Sequence, residues 1–182
     1  MLSAPTGSGK TIIMTALFEA ILAEPDDELA WPIDWKPRPE AVILWVSDMP
    51  ALNEQTRMKI EGKSNRIKAR QLVPIDAEFD QDRLKGGHIY FINTQKLGEA
   101  GLLTKVGDGR QYSIWETLTN TVRAAPKRFY VVIDEAHRGM ANQKAAKEAQ
   151  TLMQRFLMGF KDVGLVPMPL VIGVSATPKR FT

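Results

Sequence analysis

Cysteine is missing from all 182 residues, so no disulfide framework and no thiolate metal site holds this chain, and thiol redox chemistry is excluded. Long apolar runs are missing as well. The longest, residues 41–46 and 130–133, fall far short of the roughly 20 residues a membrane helix needs and suit buried strands instead. The start, Met1-Leu2-Ser3-Ala4-Pro5, has neither a basic flank nor an apolar stretch, so it does not read as a secretory leader. These absences together predict a cytoplasmic protein without a membrane partner. A surplus of one charge sign is also nearly lacking. The net charge of +3 fits contact with nucleic acid through one face and is too small to demonstrate it.

What is present describes a globular domain. Hydrophobic residues make up 44% and charged residues 25%, enough apolar surface for a core at this length. Four short runs, 41–47 (AVILWVS), 88–93 (HIYFIN), 129–134 (FYVVID) and 170–175 (LVIGVS), are near-continuously apolar rather than alternating. A parallel sheet covered on both faces requires that pattern. Helical spacing fills the intervals 10–23, 51–61, 112–124 and 142–160. In the last, Ala145, Ala149, Leu152, Met153, Phe156, Leu157 and Phe160 predict one apolar stripe. Ser113 and Glu116 stand at capping-box spacing at the start of the third. Alternating strands and helices predict a doubly wound α/β domain. Residues 24–40, with four prolines, and the glycine-rich 98–111 read as surface loops.

Residues 4–11 read APTGSGKT and lead straight into a helix expected to be amphipathic over 12–23. Small residues let backbone N–H groups wrap a polyphosphate without obstruction, which gives Thr6, Gly7, Ser8 and Gly9 a cradling role. Lys10 then reaches the β- and γ-phosphates, and the Thr11 hydroxyl ligates Mg2+. Further on, the buried run 130–133 meets Asp134-Glu135-Ala136-His137. Ligands of an open parallel sheet collect at the carboxyl ends of its strands, so Asp134 can face the crevice that holds Lys10. An aspartate there holds the metal, and a glutamate beside it orients and deprotonates the attacking water. On its own an Asp-Glu pair after a strand is a solvated helix cap; the glycine-rich loop turns the balance.

APTGSGKT, DEAH and Ser175-Ala176-Thr177, in that order, resemble motifs I, II and III of the superfamily 2 DEAD/DEAH-like helicases. DEAHRG at 134–139 and SATPKRF at 175–181 are closer to the motor (Res) subunit of type III restriction enzymes and its relatives. The resemblance implies a first RecA-like domain over 1–182, with its opening strand reduced to Met1, Leu2 and Ser3 and with a second RecA-like domain elsewhere. It implies ATP with Mg2+ as cofactors, ATP hydrolysis coupled to DNA helicase or translocase action, and a modification subunit among the partners. His137, Ser175 and Thr177 become coupling residues between the ATP site and the track. Residues 48–56 (DMPALNEQT) look like motif Ia and 94–97 (TQKL) like motif Ib. Gln55, Arg57, Thr94 and Gln95 would then grip the DNA backbone without reading sequence. Without an arginine finger from the second domain, the 182 residues by themselves are expected to turn ATP over negligibly. The alternative is a non-catalytic remnant that binds nucleotide or a partner. A transporter ATPase or a switch GTPase is disfavoured: neither an LSGGQ-like nor an Asn-Lys-x-Asp element occurs, and Asn142-Gln143-Lys144-Ala145 fails the second test.

Overall fold

The computed structural model describes residues 2–3, 9–22, 35–98, 101–107, 109–134 and 143–175. Six strands form one sheet: β1 (Leu2–Ser3), β2 (Val42–Ser47), β3 (Leu72–Pro74), β4 (His88–Asn93), β5 (Phe129–Asp134) and β6 (Val171–Ser175). Their order is β1-β6-β5-β2-β4-β3 and every pairing is parallel. Four helices, α1 (Lys10–Leu22), α2 (Pro50–Lys63), α3 (Ile114–Ala124) and α4 (Gln143–Met158), connect them. Among the described residues no helix is long and apolar enough to cross a membrane.

Side chains alternate along each strand, so the continuous apolar runs feed two separate cores. Ile43 and Trp45 of β2 join Ile89, Phe91, Tyr130, Val132 and Val174 beneath Met14, Phe18 and Ile21 of α1 and Ile60 of α2. Val42, Leu44 and Val46 join Tyr90, Ile92, Val131 and Ile133 on the opposite face, beneath Trp115 and Leu118 of α3 and Leu152 and Phe156 of α4. Helices on both faces of a parallel sheet make the doubly wound α/β domain that the sequence pattern predicts. At roughly 1.5–3 kcal/mol per fully buried large side chain, these two layers carry the fold.

Local signals account for the helix ends. The Ser113 hydroxyl accepts from the Glu116 amide at 3.3 Å, and the Glu116 carboxylate accepts from the Ser113 amide at 2.8 Å, forming the capping box that opens α3. Pro50 occupies the first turn of α2, where its missing N–H costs nothing.

Several expectations need correction. α1 is not amphipathic: Met14, Phe18, Ile21 and Leu22 are buried, yet Ile12 and Ile13 are 59% and 45% exposed. Its sequence, KTIIMTALFEAIL, is apolar on too many sides to have a polar face. The apolar stripe of α4 loses Leu157, which is 51% exposed, while Phe156 and Leu152 are buried. β3 has no counterpart in the sequence reading, because three residues ending in proline give almost no strand signal; an edge position beside β4 tolerates that proline. The glycine-rich connector is more than a surface loop. Leu103 is buried in it, Arg110 donates to the carbonyls of Ala77 and Phe79, and Asp80 accepts from the amides of Gln111 and Tyr112. Those two amides hold the Asp80 carboxyl below its ordinary range. Trp115 belongs to the core and Trp35 donates its ring N–H to the Ala20 carbonyl, so both pack, whereas Trp31 lies outside the described residues.

Candidate functional site

Parallel pairing puts the carboxyl ends of all six strands along one edge of the sheet. Register sharpens this. Asp134 of β5 stands opposite Val174 of β6, and Val174 stands opposite Leu2 of β1. The last residue of β5 thus lies two strands, about 10 Å, from the strand that feeds the glycine-rich loop. Parity settles which face it occupies. Phe129, Val131 and Ile133 enter the core under α3 and α4, and Tyr130 and Val132 enter the one under α1 and α2. Asp134 continues the second series and lies on the side of α1.

Gly9 turns the chain into α1 with φ of +81°, a left-handed conformation that side-chain-bearing residues rarely adopt. Its carbonyl accepts from the Ile13 amide at 3.0 Å, closing the first helical turn. Lys10 and Thr11 therefore sit in that first turn, which contains no acidic residue. Thr15 donates its hydroxyl to the Thr11 carbonyl at 2.8 Å.

α2 leaves β2 almost without a loop. The Ser47 hydroxyl, buried at the end of β2, bonds Asn53 Oδ1 at 2.8 Å and the Met49 carbonyl at 3.0 Å. This fastening brings one flank of α2 against the first turn of α1. A cavity of about 350 Å³ remains between the two helices, lined by Gly9, Lys10, Thr11 and Thr15 of α1 with its lead-in and by Leu52, Gln55, Lys59 and Lys63 of α2. Trp45, Val174 and Asp134 supply its sheet side.

The structure thus brings Gly9, Lys10, Thr11, Asp134 and Gln55 to one cavity. It places Thr94 and Gln95 elsewhere, in a tight turn at the end of β4 that the Asn93 side chain caps by accepting from the Lys96 amide at 3.1 Å. Arg57 points to neither place. It binds Glu54 at 2.7 Å and Glu61 at 3.6 Å on its own helix, and the bond from Arg57 holds the Glu54 carboxyl below its ordinary range while raising the guanidinium's own. Ser175 ends β6 opposite Ser3. Thr6, Gly7, Ser8, Glu135, His137 and Thr177 lie outside the described residues. The sequence reading did not assign Lys59 and Lys63 to this cavity. The signal was their i, i+4 spacing from Gln55, together with a helix that runs to Lys63 rather than to Glu61.

A family model described as "Type III restriction enzyme, res subunit" matches residues 1–180. No curated protein matches the chain.

Proposed function

The chain belongs to the res-subunit family of type III restriction enzymes, a family of ATP-driven helicases and translocases, and from that premise we propose that it is the ATP-hydrolysing motor domain of a DNA translocase or helicase in a restriction-type system. One observation carries this reading: the adjacent Lys10 and Thr11 line the same cavity as Asp134, which is 123 residues beyond Thr11 in sequence. An ammonium, a hydroxyl and a carboxylate around one space suit a triphosphate with a hard cation, since such a cation takes oxygen donors from the protein and from phosphate together. Lys10 neutralises the β- and γ-phosphates, and the small loop residues Thr6, Gly7, Ser8 and Gly9 offer backbone N–H groups to them. Thr11 and Asp134 are the side chains that hold Mg2+, which when bound spreads the negative charge of the transferring phosphoryl group.

Glu135, next after Asp134, orients the attacking water and accepts its proton. His137 and Thr177, which follow β5 and β6 in sequence, and Ser175, the last residue of β6, link the occupied site to the DNA track. Thr94 and Gln95 contact the sugar-phosphate backbone from the end of β4, and Arg57 strengthens that grip from α2 when a phosphate competes for it with Glu54 and Glu61. A second RecA-like domain contributes the arginine that completes the transition-state charge balance, and a modification subunit is a further partner.

The test is thermal unfolding with and without ATP and Mg2+. A ligand that binds only the folded state stabilises it by about 2.7 kcal/mol at one hundred times its dissociation constant. The wild-type chain gains that shift and Lys10→Ala loses it, with the unliganded melting point unchanged. A wild-type chain that shows no shift is a non-catalytic remnant.

A further inference from the structure

α2 sorts its charges by flank. Glu54, Arg57 and Glu61 form one stripe and satisfy each other. Gln55, Lys59 and Lys63, at successive i+4 positions, form another stripe about a third of a turn or more away, and all three line the cavity that contains Lys10. Neither Lys59 nor Lys63 has a hydrogen bond or ion pair with any described residue. Like charges at i, i+4 weaken a helix, and both carboxylates of α2, Glu54 and Glu61, are committed to Arg57. Two ammonium groups therefore face a space that a third already enters.

The sheet side of the cavity adds a donor without a partner. Trp45 is 2% exposed, lines the cavity, and its ring Nε1–H is buried without an acceptor among the described residues. Lysine ammonium and indole N–H groups donate and cannot accept. Of the three threonines that line the cavity, Thr11, Thr15 and Thr56, Thr15 spends its proton on the Thr11 carbonyl. Lys59 and Lys63 stand beside one cavity carboxylate, Asp134, which the nucleotide reading assigns to the cation, and two ammonium groups without a partner among the described residues call for a ligand that is negative and all acceptor, which is the chemistry of an ionised phosphate.

We propose a second phosphate subsite between α1 and α2, walled by Lys59 and Lys63, whose two ammonium groups bind one phosphate group in addition to the contacts made by the loop ending at Lys10. It rests on the nucleotide reading above. Either the terminal phosphate of bound ATP or free inorganic phosphate after cleavage supplies that chemistry.

Calorimetric titration of the 182-residue chain with ATP plus Mg2+, ADP plus Mg2+ and inorganic phosphate separates the two sources. The variants are the double substitution Lys59→Gln/Lys63→Gln, which keeps good helix formers on an exposed flank, and a control pair away from the cavity, Lys105→Gln/Lys127→Gln. If the terminal phosphate occupies the subsite, the α2 variant binds ATP at least about tenfold more weakly, the scale of a charge-assisted hydrogen bond, while ADP binding stays within about threefold of wild type. If free phosphate occupies it, phosphate binding is lost and both nucleotides are unaffected. Wild-type affinity for all three ligands, an equal loss for ATP and ADP, or the same loss in the control pair would overturn the subsite. Where Lys10→Ala abolishes ATP binding and the α2 variant leaves both ATP and phosphate binding intact, the subsite alone falls. Where the wild-type chain takes up no nucleotide, the nucleotide reading falls and the subsite with it.

Discussion

α1 and α3 are helices of similar length on opposite faces of one sheet, and they begin in opposite ways. α3 starts with Ser113 and Glu116 closing its first turn from within, and its threonines are spent on neighbours: Thr117 donates to the Gln81 carbonyl, Thr119 to Gly164, and Thr121 accepts from the Leu84 amide. α1 starts at a left-handed glycine, carries Lys10 in a first turn without an acid, and exposes Ile12 and Ile13. No acidic side chain of that turn meets the positive end of its dipole. The difference shows how this fold divides labour: the α3 side satisfies its own polar groups and holds the sheet, and the α1 side keeps a donor-rich cavity open.

Three perturbations sharpen that division. Trp115→Ala empties a core position that is 2% exposed beneath α3, and chemical denaturation should register a loss of about 3–5 kcal/mol with the ATP-induced shift retained. A variant that unfolds no more easily but binds no ATP would erase the distinction between the faces. Ser113→Ala removes the cap and should cost about 1 kcal/mol in the same assay, again without touching nucleotide affinity. The smallest effect concerns pH. Asp80, held below its ordinary carboxyl range by the Gln111 and Tyr112 amides, contributes stability that is present above the unfolded-state value and fades as pH falls through the lower folded-state one. Wild-type chain should therefore lose more stability on acidification through the carboxylate range than Asp80→Ala does. Parallel pH profiles for the two would show that the tie between residues 80 and 111–112 is idle.

Sequence alone made the central strands readable. Residues 88–93 and 129–134 match β4 and β5 to the residue, because a parallel strand buried on both faces leaves an uninterrupted apolar run. The cap at Ser113 was equally legible, being a local pattern. β3 was not, since three residues ending in Pro74 become a strand only through β4. The candidate site divides along the same line. Lys10, Thr11 and Asp134 announce themselves by local motifs at strand ends. The i, i+4 spacing of Lys59 and Lys63 from Gln55 puts them on its flank of the helix, but they meet Lys10 only because Ser47 and Asn53 fasten α2 beside α1, which is a tertiary consequence.

The claim on which the rest depends is that one nucleotide reaches from Lys10 to the end of β5. A crystal structure of the chain with a non-hydrolysable ATP analogue and Mg2+ tests it most directly. The account predicts the β- and γ-phosphates against Lys10 Nζ and the cation between Thr11 Oγ1 and the Asp134 carboxylate. A nucleotide bound elsewhere, or a cation with neither oxygen among its neighbours, would contradict it.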